Sequence, residues 1–322
     1  KPREMIEKHS RPERLRMAFE ELGPTFIKLG QMLSTRYDIL PLEYIAEFRK
    51  IQDTVSPFPV EESRKIVAEE LEQSVEEAFR RFEDEPVAAA SIAQVHRAVT
   101  VGGDEVVVKV RRPNIIETIR TDIPILEDLA RFLERHLPES HVFDPSGLVS
   151  QFQSWIHEEM DFLQEGRNIH RFRRNFASDE TVYVPEVHWD LTTEKVLTME
   201  YIDGIYVDDV DAIREAGMDP ALIAQRGTVF VLRQIFEFQF FHGDPHPSNL
   251  LVLPGHVIAP LDYGLMGRLD DVLVGEIGDL LRGIIKNDVS QIVGTLVHLN
   301  RLKNDVDRDK LRIDVSDLLA HY

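Results

Sequence analysis

The sequence predicts an α+β protein of two lobes, preceded by a helical N-terminal extension. Three observations carry that expectation. Apolar residues recur at three- and four-residue spacing through the first 80 positions, the period switches to β-like alternation from Phe82, and beyond Gly204 the pattern returns to mainly helical.

RPERLRMAFEEL, PTFIKLGQMLSTR after the Gly23-Pro24 break, PLEYIAEFRKIQD and VEESRKIVAEELE each show the one-sided apolar face of a packed helix. RRFEDEPVAAASIAQVHRAVTVGGDEVVVKVRRP then reads as strand, small-residue loop, strand, Gly102-Gly103 turn and strand, an antiparallel meander. Two long helices are predicted over 114–136 and 145–176, the second capped by Asp144 with Pro145 in its first turn. Short strands are predicted at 182–189 and 195–204, where KVLTMEYIDG runs into an acidic connector, so the hinge falls at Glu200–Gly204. The remainder reads as helical apart from NLLVL and HVIAPLDYG around Pro254-Gly255. The divisions that follow are a helical extension (1–80), a small lobe (81–203) and a mainly helical large lobe (204–322) around a cleft.

A chain of 322 residues is long enough to bury a core without covalent help, and the absence of cysteine excludes disulfides, thiolate metal sites and a cysteine nucleophile. The balance of 37 basic and 57 acidic residues, a net charge of −20, opposes association with phosphate backbones, so no nucleic-acid partner is expected. The most apolar run, VFVLRQIFEFQFF, is broken by Arg233 and Glu237, short of the roughly 18 residues of a spanning helix. The chain opens on lysine and ends in DVSDLLAHY, which reads as a piece of a longer protein.

FFHGDPHPSNLLV holds the densest chemistry, with His242, Asp244, His246 and Asn249 inside eight positions. A His-x-x-x-His metal pair needs a helix, and Pro245 and Pro247 break any helix there. Asp244 and Asn249 instead match the D-x-x-x-x-N spacing of a phosphoryl-transfer loop, in which Asp handles the acceptor proton and Asn holds a metal ion. Thirteen residues on, Asp262-Tyr263-Gly264 stands where a D-F-G aspartate binds metal. Lys109 alternates with the valines of its strand, downstream of the small-residue loop Ala88-Ala89-Ala90-Ser91, whose short side chains let backbone approach a phosphate. On the acidic helix WIHEEMDFLQEGRNIHRF, Asp161 and Glu165 lie four apart on one face, with Glu158 a turn earlier, and one of these acids is expected to pair with Lys109. Lys28 and Gln31 share a face in FIKLGQMLSTR, and Gly30 between them implies close packing, since glycine costs about 1 kcal/mol there relative to alanine. Each signal is weak alone; in order along one chain they predict a protein-kinase-like fold.

Over roughly residues 20–270 the chain resembles the UbiB (AarF/ADCK) family of atypical kinase-like proteins. Lys28-Leu29-Gly30-Gln31 is similar to its K-x-G-Q signature, AAASIAQVH to its alanine-rich loop, and Glu159-Met160-Asp161 to its E-x-D motif. The resemblance implies that Lys109 binds nucleotide with Glu165 as its partner, and that Asp244 is the catalytic-loop acid. It further implies that Asn249 and Asp262 hold Mg²⁺, with Mn²⁺ a substitute, and that the nucleotide is ATP or ADP. The K-x-G-Q helix should fold over the active-site cleft and bring Lys28 to the E-x-D acids. Lys28, Gln31, Ala88, Ala89, Ala90, Ser91, Glu159, Asp161 and the hinge residue Glu200 are thus all expected around the nucleotide. After D-Y-G a helical run begins within about five residues, leaving no room for an activation segment ending in A-P-E and no platform for a peptide substrate.

The expected activity is Mg²⁺-dependent ATP hydrolysis or phosphoryl transfer to a small molecule or lipid, in support of ubiquinone biosynthesis. Lipid or quinone precursors and quinone-biosynthesis enzymes are the implied partners. The implied location is cytoplasmic, peripheral to the inner membrane, with C-terminal membrane helices that do not occur before Tyr322. The rival expectation is a nucleotide-gated lipid- or protein-binding scaffold with little or no turnover.

Overall fold

The structure, a computed structural model, describes residues 9–51, 55–136, 144–243, 246–299 and 307–321. It divides into two compact units. The first takes residues up to Ala177 with Tyr183–Gly204 and Ala259–Leu265; the second takes Ser178–Val182, Ile205–Ile258 and Met266 onward.

The first unit opens with helices α1 (Arg11–Leu22), α2 (Pro24–Leu33), α3 (Leu42–Phe48), α4 (Val60–Leu71) and the short α5 (Val75–Ala78). Ser10 and Glu13 form a reciprocal capping box on α1, satisfying two end N–H groups, and Gly23, at φ 99°, permits the turn into Pro24 and α2. A sheet follows in the spatial order β1 (Phe79–Phe82), β3 (Ala93–Thr100), β4 (Glu105–Arg111), β5 (Val196–Glu200), with the two-residue β2 (Ala88–Ala89) also on β3. These strands all pair antiparallel. Val106, Val108, Val110 and Val196 turn one face of the sheet into a core with Phe58, Val67, Phe79 and Phe82. The period of two therefore puts Lys109 on the other face.

The chain continues through α6 (Ile115–His136) and α7 (Pro145–Glu159) to α8 (Phe162–Asn175), which meets that second face. The single helix predicted over 145–176 is in fact two. Asp161 adopts an extended conformation (φ −95°, ψ 95°) and accepts from Gln164 N at 3.2 Å as the N-cap of α8. A short acidic side chain competes for backbone donors in this way, and so Asp starts helices better than it continues them. The strand predicted at 182–189 is reduced to isolated bridges, Val182 with Ile258 and Val187 with Met199, and a 3-10 turn at Trp189–Leu191. Pro185 in the middle of that run has no N–H for a ladder.

The second unit holds β6 (Ile205–Tyr206), α9 (Val210–Glu215), α10 (Pro220–Phe236), β7 (Phe240–His242), β8 (Leu250–Leu253) and β9 (Val257–Pro260), whose last two residues pass into the first unit. β10 (Met266–Arg268), α11 (Asp271–Ile285), α12 (Val289–Leu299) and α13 (Arg308–His321) complete it. β6, β8 and β9 form one sheet, and β7 pairs antiparallel with β10. The short strands β6, β7 and β10 were not predicted, because two or three residues are too few to display alternation. Among the described residues no helix is long and apolar enough to cross a membrane.

Candidate functional site

Lys109 lies on β4, opposite Val95 on one side and Leu197 on the other. Its Nζ reaches α8, where it lies 3.0 and 2.9 Å from the two carboxylate oxygens of Glu165 and 5.2 Å from the centre of the Phe162 ring. Glu165 is 2 % exposed, so the pair sits in a region of low dielectric. Burial disfavours the Lys109 charge, but Glu165 and then Asp262 outweigh it and hold the ammonium well above its ordinary pKa. Burial pushes the Glu165 carboxyl up, Asp262 adds to this, and Lys109 pulls the other way. The paired acid among those on the predicted face is thus Glu165, one turn into its helix.

D-Y-G meets α8 in the same unit. Asn168, one turn after Glu165, donates to the carbonyl of Tyr263 at 3.0 Å, and the Tyr263 backbone hydrogen-bonds to Glu165. The Tyr263 ring is fully buried, edge-on to Phe172 at 5.4 Å, with its hydroxyl donating to Pro260 O. Asp262 accepts from Gly264 N at 2.9 Å through Oδ1 in a tight turn. Asp262 is thereby fixed on the helix that carries the Lys109 partner.

The E-x-D acids have separate tasks. Glu159, at the end of α7, takes Lys28 Nζ at 2.5 Å, and Lys28 is only 6 % exposed. Asp161 caps α8 and pairs with Arg167 at 3.3 Å. Gly30 explains itself by contact: a Cβ there would stand 2.3 Å from Ile51 Cδ1. Gln31 is half-buried in the next turn of α2. The alanine-rich loop lies on the same sheet, with Ala88 opposite Val95, which is itself opposite Lys109. Two strand spacings put Ala88 about 10 Å from Lys109. Ala89 follows on β2, Ala90 N donates to Ala93 O, and Ser91 is buried. Glu200 ends β5 with its carboxylate engaged by the Tyr183 hydroxyl at 2.6 Å and Glu186 N at 3.2 Å.

Of the loop in the second unit, Asp244 lies outside the described residues. Asn249 ends a 3-10 turn, Pro247–Asn249, and its N–H donates to His246 O at 2.9 Å. His246 caps that turn, Nδ1 lying 2.7 Å from Ser248 Oγ. Among the described residues no group of three or more His, Asp or Glu is placed to hold a metal. Sequence reasoning missed Arg111, whose guanidinium donates to Met160 O at 2.9 Å and so pins the joint between α7 and α8. It also missed Asn168. The available signals were an arginine two places from Lys109 on the same strand face, and an Asn three residues after Glu165 on the inward helix face.

The family model for the ABC1 atypical kinase-like domain matches residues 50–296. The chain belongs to the ABC1 atypical kinase-like family. Within this ABC1 family, the chain is 44 % identical over 274 residues to the probable protein kinase UbiB of Pseudomonas aeruginosa, covering 84 % of this chain and 51 % of the relative. It is 41 % identical over 266 residues to the probable protein kinase UbiB of Marinobacter nauticus, covering 81 % and 49 %. It is 39 % identical over 303 residues to the uncharacterized protein sll1770 of Synechocystis, covering 94 % and 52 %. The chain spans about half the length of the curated relatives it matches. Among solved structures, Rv3197 of Mycobacterium tuberculosis, in its complex with erythromycin, is similar at a TM-score of 0.61 and 25 % identity, over 83 % of this chain and 66 % of that one. The kinase-like ABC1 fold and its mixture of helix and antiparallel sheet agree with the class read from the sequence.

Proposed function

We propose that the protein binds ATP with Mg²⁺ and acts as an ATPase or as a phosphotransferase to a small molecule or lipid, supporting isoprenoid-quinone biosynthesis at a membrane surface. The observation that carries this reading is the buried Lys109–Glu165 pair with Asp262 fixed beside it. An ammonium held by a carboxylate on one side keeps N–H donors for phosphate oxygens on the other, and that is the geometry for orienting α- and β-phosphates.

The donor set fits the cofactors. Asp262 in the first unit and Asn249 in the second each carry an oxygen donor of the kind Mg²⁺ prefers, and Mg²⁺ takes its remaining ligands from substrate phosphates and water. When bound, the metal ion supplies charge neutralisation at the phosphates. In this reading Lys109 orients the nucleotide, Glu165 holds Lys109, and Asp244 orients the acceptor hydroxyl or water. Only six residues separate Gly264 from Asp271 at the start of α11, with Asp270 as its cap, which favours a small acceptor over a peptide. The quinone assignment leans on the UbiB names of relatives.

Phosphate release from ATP with Mg²⁺, measured with liposomes or a quinone-precursor analogue, tests the reading. The native protein is expected to exceed Asp262→Asn at least tenfold; equal rates overturn the enzyme reading. One contact favours the second reading, a nucleotide-gated scaffold. Lys28 from the N-terminal helices engages Glu159, an acid of the same cluster, and turns it to a structural use.

A further inference from the structure

The alanine-rich loop is tied down by side chains that the nucleotide reading does not use. Arg112 Nη2 donates to Ala90 O at 3.1 Å and to Ser56 O at 3.2 Å, while its guanidinium lies 5.2 Å over the Phe58 ring. Its own N–H donates to Ile92 O at 2.8 Å. Gln94, fully buried on β3, clamps Phe58 from both sides of its peptide: Oε1 accepts from Phe58 N at 3.0 Å and Nε2 donates to Phe58 O at 3.3 Å. The same amide donates to His96 Nε2 at 2.9 Å. His96 Nδ1 lies 2.8 Å from the Glu83 carbonyl, which can only accept, so Nδ1 carries the proton and Nε2 is the acceptor, its one lone pair shared between Gln94 and the Ser63 hydroxyl at 3.0 Å. Val55 N donates to Ala89 O at 3.2 Å.

We propose that Arg112, Gln94 and His96 are positioning residues that lock the alanine-rich loop to the segment 55–58, so that the loop meets a nucleotide as a fixed ledge and does not close upon it as a flap. The inference rests on the nucleotide reading of this site and adds how its loop is held. Glycine in a phosphate loop gives freedom of φ; alanine removes part of it, and the brace removes the rest. A ledge fixed before binding loses little conformational entropy when the ligand arrives.

Ile51 packs against Gly30 on the helix that carries Lys28, and Val55, four residues further on, is bonded to Ala89.

The test compares native protein with Arg112→Lys and Gln94→Met by amide hydrogen exchange, and measures affinities for Mg·ATP and Mg·ADP. Lysine keeps the charge and the aliphatic stem but not the planar guanidinium, which lies over Phe58 while its Nη2 reaches both carbonyls. Exchange at Val55 and Ala90 in Arg112→Lys, and at Phe58 in Gln94→Met, is expected to quicken about tenfold, as for one lost local hydrogen bond. Amides of α11 and α12 should be unchanged, and the ratio of the two nucleotide affinities should shift several-fold. Native exchange at Val55, Phe58 and Ala90 in both variants overturns the proposal, as does an equal rise in α11 and α12. The exchange measurement needs no nucleotide, so a native protein that binds neither ATP nor ADP defeats the functional reading while the brace is still judged.

Discussion

Lys109 and Glu165 share two hydrogen bonds across a buried gap between a strand and a helix, and each is the main charge the other meets. Removing one partner strands the other in low dielectric. Lys109→Met is expected to lower stability by about 3 kcal/mol, the scale for breaking a buried pair. The double variant Lys109→Met, Glu165→Gln should recover much of that loss without recovering nucleotide binding. Chemical denaturation and nucleotide titration of the three proteins check both statements; single and double variants of equal stability count against the pairing.

Lys28→Ala leaves Glu159 without its 2.5 Å partner at the edge of the Lys109 cluster. Ala89→Gly restores backbone freedom to the loop. Each is expected to change the balance between ATP and ADP binding several-fold, read by titration of both nucleotides. Unchanged affinities in both variants refute a link between the K-x-G-Q helix, the loop and the nucleotide.

Gly30→Ala is a test of packing alone. Alanine gains about 1 kcal/mol of helix propensity, but its Cβ would stand 2.3 Å from Ile51 Cδ1. Overpacking of this kind costs about 1–3 kcal/mol, so the melting temperature should fall. Adding Ile51→Val deletes the clashing methyl and should restore it. A Gly30→Ala protein as stable as the native one would show that Ile51 moves aside.

His96 gives the protein a pH dependence with a definite sign. Burial lowers its pKa below the ordinary 6.5, with the nearby Arg64 charge acting the same way and the Glu83 carbonyl and Asp84 opposing. The unfolded chain then binds a proton that the folded chain refuses. Stability is complete above about pH 6.5 and is lost as pH falls from there toward the depressed folded-state value. Thermal unfolding of native protein and His96→Phe across pH 5 to 8, about the range in which histidine titrates, should show a shallower acid slope in the variant. Identical slopes would assign the acid sensitivity elsewhere.

Much of this was legible in the sequence because it rests on periodicity and spacing. Lys109 was placed off the valine face by alternation alone, and Gly30 announced a close approach by its cost. What was not legible depended on partners distant in the chain. Whether Asp161 continues a helix or starts one is decided by where its carboxylate finds N–H groups, and the helical period on either side is the same. Arg111, Arg112 and Gln94 read as ordinary strand residues until the carbonyls they hold, at Met160, Ala90 and Phe58, are brought to them. The Glu200 carboxylate likewise finds its partners, Tyr183 and Glu186, 17 and 14 residues back in the chain.

The joint between α7 and α8 has a consequence for chain length. Glu159 closes one helix and Glu165 lies in the first turn of the next, so the angle between the two carboxylates is set by the non-helical link at Met160 and Asp161. Each residue of helix turns the chain by roughly 100°. An insertion or deletion of one residue between these acids would rotate Glu165 off Lys109 while leaving Glu159 in place. The six-residue interval is a phase setting, intolerant of any change in count.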